Sequence, residues 1–198
     1  MSKSQINSGG SARGGLRILL RAAALLLTAL VVGAVAFIAW LLLPPNELPP
    51  RADVVMVVAG ASDGRHELGA RIVDDLDTRS FVVSNPNGTR DVKGSSFCRG
   101  VDRPRNAETW CLDPHPVTTA GEAMTLGELA REQGWESAVI VTNRPHSRRV
   151  EYIFRDCTDL QIDVVHISTV NLELLPYHLA REAAGFGRHL LADPCAHR

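Results

Sequence analysis

Asp53-Val54-Val55-Met56-Val57-Val58-Ala59 is an unbroken apolar, largely β-branched run. A strand with one face in water alternates apolar and polar residues. A run without alternation marks a strand covered on both faces, as in a parallel sheet. Gly60-Ala61-Ser62-Asp63-Gly64 follows as a turn. Residues 65–76 then read as a helix, because Leu68, Ile72, Val73 and Leu76 fall at i, i+4, i+5 and i+8 on one face. Strand, turn and helix in succession make the first half of a βαβ unit.

The same alternation continues downstream. Residues 80–84 (SFVVS) form a second short strand, closed by the turn-formers Asn85-Pro86-Asn87-Gly88. Residues 89–116 show no apolar period and are expected to form a long loop. Residues 119–133 are helical, with Ala123, Leu126, Leu129 and Ala130 on one face and Gly134 as the stop. A third buried strand is predicted at 137–142 (SAVIVT), a helix at 145–155, a fourth strand at 161–166 (QIDVVH), and a last helical stretch at 172–191 with Pro176 near its start. Strands alternating with helices of this length predict a three-layer α/β domain with a mostly parallel sheet of at least four strands.

Upstream, residues 22–46 carry no charge, and Lys3, Arg13, Arg17 and Arg21 precede them. About 20 apolar residues suffice to cross the hydrocarbon core. A cleaved signal peptide usually has an apolar core of about 7–15 residues before a small-residue site. Here the run is longer, and its end, Trp40-Leu41-Leu42-Leu43-Pro44-Pro45, lacks that site; Ala34-Val35-Ala36 falls mid-run. The expectation is a disordered cytoplasmic tail (1–16), a transmembrane anchor (17–45), a linker (46–51) and an extracytoplasmic α/β domain (52–198). The basic flank keeps the N-terminus in the cytoplasm, which makes this a single-pass protein of the plasma membrane.

From Ala52 onward there are 16 Lys and Arg against 21 Asp and Glu. A mildly acidic domain without a basic stripe argues against nucleic acid as a partner. All four cysteines (Cys98, Cys111, Cys157, Cys195) follow the anchor, and an even count in an oxidising compartment favours disulfides. Three pairings are possible. Cys98–Cys111 would staple the aperiodic segment, and Cys157–Cys195 would tie the C-terminal segment to the end of a helix. A metal site of Cys98, Cys111 and His115 lacks the close cysteine spacing of structural zinc. No metal or cofactor is expected.

Ligands of parallel sheets bind beyond the carboxyl ends of the strands. That directs attention to three loops: 60–65, 84–88 and 142–149. In the first, Gly60, Ala61 and Gly64 lead into a helix N-terminus that favours an anion, although an ordinary βα turn reads the same way. In the third, Thr142-Asn143-Arg144-Pro145-His146-Ser147-Arg148-Arg149 leaves a strand and opens a helix, with Pro145 suited to its first turn. His146 and Arg149 share a face there. A histidine can serve as general acid or base; the competing reading is a solvated basic patch. Glu122 stands three residues after Thr119 and fits either a site carboxylate or a capping box. His115 reads as a plain loop residue. The chain has no G-x-S-x-G, H-E-x-x-H or C-x-x-C.

Five segments in order resemble the YdcF/SanA/ElyC-like family of bacterial proteins: Val58-Ala59-Gly60-Ala61, Arg71-Ile72, Ser84-Asn85, Thr118-Thr119-Ala120-Gly121-Glu122-Ala123, and the His146/Arg149 segment. The family carries Ser-Gly-Gly where this chain has Ser84-Asn85-Pro86, and Glu-Asn where it has Glu122-Ala123. The resemblance implies a Rossmann-like fold. The residues it carries over are Arg71, Glu122, Thr142, His146 and Arg149. Together with the loop reading, the expected site has His146 and Glu122 as catalytic groups and Gly60, Ala61, Gly64, Arg71, Ser84, Asn85, Thr142, Asn143 and Arg149 as ligand-binding residues. Anchored members are associated with envelope integrity and lipid-carrier metabolism, and one soluble branch with S-adenosylmethionine. The implied partner is an anionic small molecule or a polyprenyl-phosphate-type precursor. A non-catalytic envelope ligand-binding or scaffold protein is the alternative.

Overall fold

The computed structural model describes residues 9–60, 63–169 and 172–196. The chain divides into two units, Met1–Trp40 and Leu41–Arg198. Helix α1 spans Gly9–Leu42. Its stretch Gly15–Leu42, 28 residues, is long and apolar enough to cross a membrane: at 1.5 Å per residue it measures about 42 Å, against about 30 Å of hydrocarbon. Thr28, its hydroxyl-bearing residue, turns Oγ1 back onto the Ala24 carbonyl (2.9 Å), which satisfies the hydroxyl within the helix. The expected disordered tail is corrected in part. Residues 9–16 are already helical, and residues 1–8 lie outside the described residues.

The second unit contains β1 (Val54–Val57), α2 (Arg65–Asp75), β2 (Ser80–Ser84), α3 (Val92–Cys98), β3 (Glu108–Leu112), α4 (Thr119–Gln133), β4 (Ser137–Asn143), α5 (Ser147–Cys157), β5 (Gln161–Ile167) and α6 (Leu175–Ala192). The five strands form one sheet of order β3-β2-β1-β4-β5, every pair parallel. This is a Rossmann-like α/β fold. Met56 of the central strand pairs with Val82 on one side and Ile140 on the other. Val54 and Met56 enter the core shared with α4 and α5, while Val55 and Val57 enter the core shared with α2 and α3. Both faces of β1 are thus dry, which is why its sequence does not alternate.

The expected loop over 89–116 is replaced by two elements. Asp91 accepts a hydrogen bond from Gly94 N (2.9 Å) and caps α3. β3 is a half-exposed edge strand, so Glu108-Thr109-Trp110-Cys111-Leu112 carries no buried run to betray it. A Cys98–Cys111 disulfide joins the end of α3 to β3, and Cys157–Cys195 joins the end of α5 to the segment after α6. Elsewhere the differences are at element ends: β4 runs one residue further, to Asn143, and a 3-10 turn (Arg144–His146) precedes α5. The linker is fastened to the domain. Leu43 O accepts from Arg148 Nη2 (3.4 Å), and Asn46 Oδ1 accepts from the His166 amide (2.8 Å).

Candidate functional site

From β1 the sheet builds outward in both directions, so the crevice beyond the carboxyl ends of β1 and β4 is the topological switch point. A cavity of about 370 Å³ lies there. Ala59 and Gly60 line it from the end of β1, and Pro86 and Asn87 from the loop after β2. Thr118, Thr119 and Glu122 line it from the start of α4, and His146 and Arg149 from the start of α5. Arg181, Gly185 and Arg188 enter from α6.

In the first loop the arginine at the start of α2 folds back. Arg65 is 2% exposed, donates from Nε and Nη2 to Asp63 (2.9 and 2.6 Å), and from Nη1 to the Ala59 carbonyl (3.2 Å). A Cβ at Gly60 would lie 2.5 Å from Arg65 Nη1, so only glycine fits beneath the guanidinium. The Ala59 amide donates in turn to Glu122 Oε1 (2.7 Å). Burial pushes the Glu122 carboxyl up; the Ser84 hydroxyl, the Ala59 amide, Arg65 and Arg149 pull it back without cancelling the rise. Glu122 therefore reaches across to β1, not back along its own helix. The cap of α4 is Thr118, whose Oγ1 accepts from Gly121 N (3.1 Å).

The third loop meets α6. Asn143 Oδ1 accepts from the His146 amide (3.2 Å), Asn143 O accepts from Ser147 Oγ (3.1 Å), and the turn this builds brings the His146 ring to the cavity wall. His146 Nδ1 lies 3.2 Å from Glu182 Oε2. The same carboxylate receives Arg149 Nε (2.7 Å) and Nη2 (3.1 Å), a bidentate pair, while Arg149 Nη1 donates to Thr119 Oγ1 (3.0 Å). Burial alone would raise the Glu182 carboxyl, but hydrogen bonds and charge from His146 and Arg149 bring it down to about 2. Burial and then Arg149 lower His146 to about 4, against the pull of Glu182. The ring is neutral at pH 7. With Glu182 ionised, Nδ1 carries the proton and Nε2 is left as an acceptor.

The structure gathers His146, Glu122, Gly60 and Arg149 around the cavity. Ser84 and Thr142 are fully buried at the ends of β2 and β4. Thr142 Oγ1 has no hydrogen-bond partner among the described residues. Asn143 shapes the turn. Asn85 stitches β2 to its neighbours, its amide donating to Leu112 O (2.8 Å) and its Nδ2 to Ser95 Oγ (3.2 Å), and does not line the cavity. Gly64 precedes α2 at φ 96° and also stands off the cavity. Ala61 lies outside the described residues. Arg71 is on the exposed side of α2, away from the cavity; the arginine of α2 that turns toward the first loop is Arg65, which is bonded to Asp63 and the Ala59 carbonyl.

The helix at the C-terminal end was expected, but sequence reading missed that α6 supplies residues to the site. Leu175, Leu179, Glu182, Phe186 and His189 fall on one face of that helix, and a charged residue within such a stripe was the available signal. Gly185 allows the approach: a Cβ there would lie 2.6 Å from Arg149 Nε. Arg181 and Arg188 have no ion-pair partner among the described residues. Asp156, Cys157 and His189 lie within metal-ligating distance of one another, but Cys157 is committed to its disulfide, and His189 Nε2 is 2.8 Å from Asp156 Oδ2. No family model, curated protein or solved structure matches the chain.

Proposed function

We propose that this is a membrane-anchored enzyme of the YdcF/SanA/ElyC-like type, with its domain on the extracytoplasmic side of the plasma membrane, acting on a phosphorylated, lipid-carrier-type precursor of the cell envelope. The observation that carries the reading is the neutral, Glu182-oriented His146 in a cavity also lined by Arg181 and Arg188, which have no ion-pair partner among the described residues. Two disulfides suit an oxidising compartment, and the basic residues before α1 suit a cytoplasmic N-terminus.

The chemistry follows from the arrangement. Arg181 and Arg188 neutralise phosphate oxygens, since Arg149 is spent on Glu182. His146 Nε2 removes the proton from a water or hydroxyl attacking phosphorus and returns it to the leaving oxygen. An anion in the cavity places a negative charge beside the ring and lifts His146 toward the range where a base works well near neutral pH. The anchor raises the effective concentration of a membrane-borne substrate.

The test uses full-length protein in nanodiscs, with short-chain polyprenyl phosphate and diphosphate, reading phosphate release and binding. His146→Ala should lose about 10²–10⁴-fold in kcat while keeping its melting curve and its affinity for the lipid phosphate. Undiminished turnover in His146→Ala would remove the catalytic reading, and binding without turnover in the wild type would make the chain a ligand-binding protein.

A further inference from the structure

The outward side of α6 is unusual for a water-facing helix. Leu174, Tyr177 and Leu191 are 49, 61 and 90% exposed. Tyr177, exposed Ala184 and Leu191 recur every seven residues, two turns apart on one strip. Arg181 and Arg188 keep the same spacing on the strip beside it. Scattered single apolar side chains on a surface need no explanation, but here they share one helix face with an aromatic residue and are edged by two arginines that have no ion-pair partner among the described residues. That composition belongs to helices lying in a membrane interface, where the apolar face sinks about 5–10 Å and the basic groups meet anionic headgroups.

A second, independent observation concerns where the segment after α1 joins the domain. α1 ends at Leu42. Leu43 is bonded to Arg148 and Asn46 to His166, so the chain joins the domain at the carboxyl ends of β4 and β5. α6 packs against the turn Arg144–His146, which leads into Arg148, and against α5. Residues 43–46, which follow α1 in the chain, thus attach to the same rim of the domain that carries the cavity and α6.

We infer that the outward face of α6 is a docking surface for an anionic phospholipid leaflet, with Tyr177 and Leu191 entering the acyl boundary and Arg181 and Arg188, which stand at the border between this face and the cavity they line, meeting the phosphates of lipid headgroups at the cavity mouth. It rests on α1 crossing the membrane and is independent of any reaction at His146. Docked in this way, the domain turns its cavity rim to the lipid, and a lipid-borne phosphate reaches it without leaving the leaflet.

The four native cysteines are paired, so a nitroxide can be placed on full-length protein at Leu191→Cys, at Tyr177→Cys, and at exposed Glu132→Cys in the last turn of α4 as the control. The protein is held in nanodiscs of phosphatidylcholine with or without phosphatidylglycerol. Accessibility to oxygen and to an aqueous nickel chelate is read by electron paramagnetic resonance. In phosphatidylglycerol discs, the labels at 177 and 191 should be shielded from nickel and open to oxygen, with the label at 132 the reverse. Adding Arg181→Glu with Arg188→Glu should return 177 and 191 to water. Nickel access at both sites in both lipids overturns the proposal. So does shielding indifferent to lipid charge and to the glutamates, and so does spin–spin broadening at 191, which would mean a second copy covers the face.

Discussion

Glu182 and His146 lie 36 residues apart in the chain and meet at 3.2 Å through Oε2 and Nδ1. The contact joins α6 to the turn after β4, and the same carboxylate binds Arg149 through two nitrogens. One buried acid thus fixes the tautomer of the histidine and neutralises the arginine beneath it.

Removing that acid leaves Arg149, 8% exposed, without a counter-charge. Glu182→Leu should cost about 3–5 kcal/mol, the usual penalty for breaking a buried pair from one side. Arg149→Met should cost a similar amount. The double variant should lose much less than the sum, because neither charge is then stranded. Urea melts of the four proteins close the cycle, and strict additivity would show that the pair is not energetically coupled.

The pH dependence has a defined sign. His146 titrates at about 4 in the folded protein, against 6.5 as its ordinary value. Between those values the unfolded chain binds more protons, so stability is full above pH 6.5 and falls as the pH drops toward 4. Glu182, held at about 2 against 4.5, contributes stability present above pH 4.5 and lost as the pH falls through 2. Denaturant unfolding between pH 7 and 4 should show the first loss, and His146→Gln should flatten it.

Gly185 is the point where α6 crosses Arg149. A Cβ would sit within 3 Å of three atoms of that side chain, Nε at 2.6, Cδ at 2.7 and Cζ at 2.9 Å. Gly185→Ala should cost about 1–3 kcal/mol from overpacking, and it should lower turnover more than Gly187→Ala, which meets nothing within 4 Å. Thermal melts and phosphate release measured on both variants separate the two effects.

The disulfides should differ in what they protect. Cys98–Cys111 spans 13 residues and Cys157–Cys195 spans 38, for which chain entropy gives about 3 and 4 kcal/mol. Serine replacement of the first pair should raise hydrogen exchange in α3 and β3 alone. Replacement of the second should loosen α6, and with it Glu182, so turnover should fall as well as stability.

The sequence by itself determined the frame. Residues 53–59 and 137–142 read as doubly buried strands because both faces of β1 and β4 are dry, and α2 and α4 declared themselves by one apolar stripe each. The apolar length of α1 was equally plain. The loops after β1 and β4 could be nominated as site loops, since parallel topology puts the crevice at those ends. β3 stayed hidden because it is an edge strand whose burial comes from one neighbour. Which arginine served the first loop was also invisible: Arg65 and Arg71 sit on the same helix, and only the path of the chain at Gly60 brings Arg65 inward. Arg149 was legible as a site residue, but its partner was not. Periodicity tells which side of a segment is buried. It carries no information about which distant segment arrives there, and the crossing of α6 over the β4 turn is a property of the packed domain alone.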